Sequence, residues 1–354
     1  MRARARGVAG TVRVGALRLA AMAATWAVLS WLLLAWSAEG AEWTSRVLHL
    51  EPVADLKCPP VVSAVAVHPE GKTLAIAGDD HAIRVFDLGA GQFVHRLVGH
   101  ADWVRALAFS PNGQILASAG NDGRIAFWDL ASGAKRNEAR MPHAVTAVVF
   151  SQDGEKLAAV GFGDQLQVLD AASGQALSAW NCPCRDMRAL AYCSTRRAWA
   201  GGGRNGIVRM WGADGQVLQE YAAHRRRIWG LAFSPDGRYL ASCAEDGKTR
   251  VSRLDGQDDF VLESPGSKVM SLTFCGPDQL ATGGSDNLIR IWDLNGRTEI
   301  TQLAGHTGSV VALAYSGNVL VSAGFDTTVR VWRKGDNLAE DPRLPGDRVG
   351  TRQP

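Results

Sequence analysis

Cysteine is scarce in this chain, six in 354 residues, which is too thin a supply for a disulfide-stapled scaffold. Helical spacing of apolar residues is missing after residue 45, which excludes a bundle. A strong charge excess is also missing: 38 Lys and Arg face 35 Asp and Glu, a formal net charge of +3. Residues 1–40 hold five Arg (Arg2, Arg4, Arg6, Arg13 and Arg18) against one acid, Glu39, so residues 41–354 carry about −1. The globular part is not basic, which removes the argument from bulk charge to nucleic acid as a partner. With 46% hydrophobic and 21% charged residues the chain is neither disordered nor wholly membrane-embedded.

Long apolar runs are confined to one place, residues 19–36, eighteen residues without a charge behind the Arg cluster. A small and polar stretch, Ser37-Ala38-Glu39-Gly40-Ala41, follows. That order is the layout of a secretory signal peptide, cleaved after Ala38, Gly40 or Ala41. The run exceeds a usual signal core and falls just short of the roughly 20 residues of a spanning helix, so a retained anchor is the other reading. Either way the Arg cluster is expected to stay cytoplasmic and the rest to be exported, to a periplasmic or secreted location or outside an anchoring membrane. Contact with the membrane is expected only through residues 19–36, if uncleaved.

What fills the remainder is repetition. Short alternating segments such as Ala106-Leu107-Ala108-Phe109 end on anchors at Val67, Phe109, Phe150, Tyr192, Phe233, Phe274 and Tyr315, spaced 41 or 42 residues apart. Within each unit the period is two, and turns such as Ser110-Pro111-Asn112-Gly113 separate the runs, as in hairpins. Four short strands fit each unit. A single such sheet cannot bury both faces, so the units stack, and closing seven in a ring removes the exposed ends. The last unit supplies three strands; residues 46–56, placed like the outer strand before each other anchor, are expected to supply the fourth.

Gly99-His100, Gly305-His306, Trp128-Asp129 and Trp292-Asp293, phased in these units, resemble the WD-repeat β-propellers over about residues 46–334. The resemblance implies an all-β, seven-bladed propeller of four-stranded antiparallel blades over residues 41–334, here an exported, bacterial-type, monomeric one. It also implies a buried His, Ser or Thr, Asp and Trp tetrad in each blade. Carried over, the tetrad is complete as His100, Ser118, Asp122 and Trp128 and as His306, Ser322, Asp326 and Trp332. The unit around Phe233 keeps His224, Ser242 and Asp246 with Ser252 in place of Trp. The next keeps Thr282, Asp286 and Trp292 with Pro265 in place of His. The first, third and fourth units depart further, leaving Asp80, or Asn205 with Trp211. Those departing sheets are expected to rest on apolar packing and to open locally.

Three chemical readings are set aside. His100, Ser118 and Asp122 contain the residue types of a hydrolase triad, but a set recurring at the period of the fold is structural, not an exposed nucleophile beside an oxyanion hole. Gly201-Gly202-Gly203-Arg204-Asn205-Gly206 satisfies G-x-G-x-x-G, yet a strand follows where phosphate binding needs a helix, so the glycines read as a hairpin with positive φ. Cys182-Pro183-Cys184 lacks a second cysteine pair for zinc, and its thiols are read as free or locally bridged. No cofactor, metal or catalytic residue is expected.

What remains is a surface. The resemblance places the loops between blades and the second-hairpin loops on one rim, where partners dock. Phase puts Trp103 and Arg105 there, then Arg185, Asp186, Arg188 and Arg204, then Arg225, Arg226, Arg227 and Trp229, with Phe162 and Phe325 projecting from hairpins. Arg and Trp are types enriched in binding hot spots. The chain is therefore expected to be a non-catalytic protein-interaction scaffold that binds a protein partner, an acidic segment, on this arc. Two alternatives stand beside it: Arg225, Arg226 and Arg227 as a merely solvated loop, and an extracytoplasmic enzyme or small-ligand binder using the central channel. The inner strands, small and apolar, favour the rim. Residues 335–354 read as a disordered polar tail.

Overall fold

The computed structural model of the protein describes residues 43–50, 59–256 and 258–335. The expected leader and the tail beyond Gly335 lie outside the described residues, as does Cys58. Among the described residues, 28 strands, β1 to β28, form seven four-stranded antiparallel sheets. The innermost strands are β2 (Val62–Val67), β6 (Val104–Phe109), β10 (Val145–Phe150), β14 (Met187–Cys193), β18 (Ile228–Phe233), β22 (Val269–Phe274) and β26 (Val310–Ser316). Each touches the next, and β26 touches β2, so the ring is closed. Blades 1 to 7 are numbered from these strands. The fold is the seven-bladed propeller that the repeats imply.

Blade 7 is completed by β1 (Trp43–His49), paired antiparallel with β28 (Thr328–Lys334) from Trp43 against Lys334 to His49 against Thr328. The closing strand therefore begins three residues before, and ends seven before, the expected segment 46–56; residues 51–56 lie outside the described residues. Equal spacing fails here because residues 50–61 separate β1 from β2, whereas residues 99–103 suffice between β5 (Gln92–Val98) and β6.

Second strands are buried on both faces because each is sandwiched between neighbouring blades; β19 (Tyr239–Ala244) and β27 (Val319–Gly324) are buried at every position. Their small side chains let the sheets approach. Outer strands face solvent, as in β17 (Val217–Ala222). The core is divided accordingly: seven apolar clusters each join two adjacent blades. Cluster and clasp coincide at the seam between blades 7 and 1, where Leu48 and Leu50 pack with Val62, Leu74, Val321 and Val329. Nearby, Ser316 Oγ donates to the Pro69 carbonyl at 2.9 Å. Gly71 and Gly317, both at positive φ, approach so closely that a Cβ on Gly71 would stand 2.8 Å from Gly317 Cα.

Candidate functional site

Inside the blades, polar side chains tie loops to strands. In blade 2, Trp128 Nε1 donates to Ser118 Oγ (2.9 Å), which lies 2.8 Å from His100 Nε2, while His100 Nδ1 stands 3.1 Å from both Asp122 oxygens. These groups satisfy one another with the serine donating to Nε2 and Nδ1–H donating to the carboxylate, the neutral imidazole tautomer. Asp122 also accepts the Ala101 and Arg124 backbone N–H groups. Blade 7 repeats the arrangement: His306 Nε2 to Ser322 Oγ at 2.7 Å, Nδ1 to Asp326 at 2.9 Å, and Trp332 Nε1 donating to Ser322 Oγ at 2.8 Å. Ser118 and Ser322 are fully buried, so neither is placed to attack a substrate.

The departing blades compensate in different ways. Blade 5 keeps His224 Nε2 at 2.9 Å from Ser242 Oγ, while Ser252 turns instead to Tyr221 and Asp259. In blade 6, Trp292 Nε1 donates to Thr282 Oγ1 at 2.8 Å, and Arg290 holds Asp286 at 2.6 Å where Pro265 offers no donor. Blade 1 does the same with Arg84 on Asp80 at 2.6 Å. The expectation of apolar packing, which concerns the first, third and fourth units, is corrected in blade 1 by the buried Arg84–Asp80 pair; blade 6 uses the half-buried Arg290–Asp286 pair in the same way. Blade 4 is different again: Gly201 stands in the serine position, and a Cβ there would meet Met187 Cε at 2.7 Å and the Trp211 ring at 3.0 Å.

Burial opposes the charged form of Asp122 and Asp326, but backbone N–H donors and the adjacent imidazoles outweigh it and hold both below the ordinary carboxylate range. Burial pushes His224 and His306 below their ordinary 6.5, even against the attraction of Asp246 and Asp326. All four groups bind protons more weakly folded than unfolded, so acid favours unfolding. Stability is expected to be full above about pH 6.5, to fall first as unfolded histidines protonate, and to fall again through about pH 4 as unfolded carboxylates do. Thermal melts across this range check it.

At the rim, all seven first-to-second strand pairings carry a β-bulge in the same place. The bulged residues are Ser63, Arg105, Thr146, Arg188, Trp229, Met270 and Val311, a ring around the axis that the blade phase alone does not reveal. Bulges re-aim side chains. Ser63 and Thr146 spend theirs on the next inner strand, donating to the Val104 and Met187 carbonyls. Arg105, Arg188 and Trp229 carry theirs into a stacked patch. Arg105 lies 4.4 Å from the Trp103 ring, Arg188 4.7 Å from Phe162 and 5.4 Å from Trp229, and Arg227 5.6 Å from Trp229. Burial and the positive charge of Arg188 push the Arg105 guanidinium below its ordinary value.

The structure divides the expected arc in two. Arg188 and Arg227 are not free: both pair with Asp186, at 2.6 and 3.1 Å, and Arg227 also reaches Glu245 at 3.5 Å. Asp186 thereby clamps blade 4 to blade 5. Arg185, Arg204, Arg225 and Arg226 are exposed, and their side chains have no hydrogen bond or ion pair among the described residues. Phe162, Cys184, Arg185, Asp186, Arg204 and Asn205 line an open cleft of about 610 Å³. Phe325, on blade 7, is exposed away from this group. The G-x-G-x-x-G segment is no phosphate loop: Gly201 to Gly203 end strand β15 (Ala198–Gly203), and β16 (Ile207–Trp211) follows. Only Gly206 of the four glycines has positive φ, a correction to the reading of the whole run as a hairpin.

Seven such blades, with the full His, Ser, Asp and Trp network in blades 2 and 7 and parts of it in blades 5 and 6, define a WD-repeat β-propeller. Residues 61–301 match the family model described as the IFT122 first beta-propeller, and residues 297–333 match the WD domain, G-beta repeat. The chain belongs to the IFT122 first-propeller family of WD-repeat β-propellers. Among curated proteins it is similar to a serine-threonine kinase receptor-associated protein of Mus musculus, 29% identical over 34% of this chain and 35% of that one. It is also similar to the B-type cell cycle switch protein ccs52B of Medicago truncatula, 31% identical over 37% of this chain and 28% of that one. A WD repeat, SAM and U-box domain-containing protein 1 of Danio rerio is 39% identical over 22% of this chain and 16% of its own. The chain thus spans about a third or less of the length of these relatives. WD-repeat propellers are typically protein-interaction scaffolds or regulators.

Proposed function

We propose that the chain is a non-catalytic scaffold that binds an acidic protein segment on the rim of blades 4 and 5. The observation that carries this reading is the set of four exposed, unpaired guanidiniums, Arg185, Arg204, Arg225 and Arg226, beside a patch of stacked Arg and aromatic side chains. Guanidiniums recognise carboxylates bidentately, and a stacked Trp or Phe supplies an apolar anchor at low entropic cost.

Arg225→Glu with Arg226→Glu is expected to weaken capture of the partner from extract at least tenfold while leaving the melting temperature unchanged, since neither side chain has a partner to lose. Arg227→Glu is the wrong probe, because it sets a third acid beside Asp186 and Glu245. Capture undiminished by the double variant removes the proposal. Export is part of the same reading and rests on residues 1–40: a reporter active only outside the cytoplasm, fused after residue 354, is expected to be active and to fall silent when residues 19–36 are deleted.

A further inference from the structure

Blade 4 lacks the network that blades 2, 5 and 7 build, and sulfur stands where it would be. The histidine phase of the blade falls on Pro183, flanked by Cys182 and Cys184. The serine phase falls on Gly201, and the Met187 side chain fills the vacated space. Three sulfurs from six consecutive residues thus gather on one apolar cluster, with Trp180, Trp199 and Trp211 around them. The segment is pinned, with Cys182 N–H donating to the Asp164 carbonyl at 2.8 Å and Asn205 Nδ2 donating to the Pro183 carbonyl at 3.0 Å. A pinned frame of this kind pre-forms a ligand set.

From this arrangement we propose that Cys182, Cys184 and Met187 form a binding site for a soft monovalent cation, copper(I). Two sulfurs bound to one metal at about 2.3 Å stand about 3.8–4.0 Å apart; Cys184 Sγ and Met187 Sδ are 3.8 Å apart. Two thiolates and a thioether are soft donors that select copper(I). Zinc needs a fourth ligand, and no group of three or more His, Cys, Asp or Glu placed for a metal exists among the described residues. Cys184 lines the open cleft, which gives a metal an entry path. Copper(I) with two thiolates leaves the site at −1, beside Arg185 and Arg204, which line the same cleft as Cys184. The site does not depend on the acidic-partner reading.

The test is anaerobic competition for copper(I) between the full chain and a chromogenic chelator. The wild type is expected to withdraw one equivalent, and X-ray absorption of that complex to show only sulfur neighbours. Cys182→Ser with Cys184→Ser should abolish the withdrawal while the thermal melt stays in place. Met187→Leu removes a ligand of the same bulk and should weaken binding at least as much as the 10–100-fold that loss of an outer-shell partner costs. Copper left wholly with the chelator by the wild type, nitrogen or oxygen in its first shell, or an equivalent retained by the double serine variant each overturns the site.

Discussion

A full chain lacking residues 43–49 is expected to lose the single cooperative unfolding transition of the propeller. The strand forms seven backbone pairings with β28, and without it blade 7 ends on an unpaired edge. Leu48, buried in the seam cluster beside Leu50, is removed with it. Burial of one Leu contributes about 1.5–3 kcal/mol, and each unmet buried backbone group costs about 1–3 kcal/mol, against a whole-domain stability of about 5–15 kcal/mol. The deletion removes enough to exhaust that margin. The opened array should melt as a broad, multi-step transition in which blades unfold in turn, as repeat stacks do. Deleting the same number of residues from the tail, 345–351, is expected to leave the melt unchanged. A melt of the β1 deletion that matches the full chain in midpoint and sharpness defeats the account of closure.

Ser322→Ala is the second change with a large expected effect, although it removes one atom. Ser322 Oγ accepts from Trp332 Nε1 and meets His306 Nε2, all three side chains being buried. Without the hydroxyl, two buried polar groups lose their partner at once, each at about 1–3 kcal/mol, so a loss of roughly 2–5 kcal/mol is expected. Ser322→Thr keeps the oxygen, and blade 6 shows that a threonine fits the role, since Trp292 Nε1 donates to Thr282 Oγ1. Denaturant melts are expected to place Thr near wild type and Ala far below. Equal midpoints for the two would mean that the network contributes nothing net to stability.

Much of this architecture is legible in the sequence because the repeat forces it. Anchors spaced 41 or 42 residues apart determine the blade count, and the phases of His, Ser, Asp and Trp fall where the side chains meet in blades 2 and 7. Closure was legible in kind and displaced in place. Equal spacing put the strand at 46–56, yet Pro52 in that stretch cannot donate to a ladder, a warning the spacing overrode. The bulges were not legible from alternation, because a one-residue register shift leaves no mark in composition. A signal does exist in the phase: the residue four before each anchor runs Ser63, Arg105, Thr146, Arg188, Trp229, Met270 and Val311, while the one before it is apolar in every unit. The pairing of Arg188 and Arg227 with Asp186 depends on elements of two blades meeting, and the Arg84 and Arg290 substitutes for histidine come from the third strand of their blades, whereas the histidines of blades 2, 5 and 7 sit in the loop before the first strand. Neither follows from reading a single repeat. The sulfur cluster is not legible from cysteine spacing alone, because its third member is Met187.

Placing a photoreactive side chain in the full chain, either at Arg226 or at Phe325, tests the rim most directly. Both positions are exposed, and they sit on blades 5 and 7 of the same rim. Cross-linking in the native host is predicted to yield a discrete adduct from position 226, joined to a peptide rich in Asp and Glu, and none from position 325. Adducts of equal yield from both positions, or a cross-linked peptide without acidic residues, would contradict recognition of an acidic segment by the arginines of blades 4 and 5.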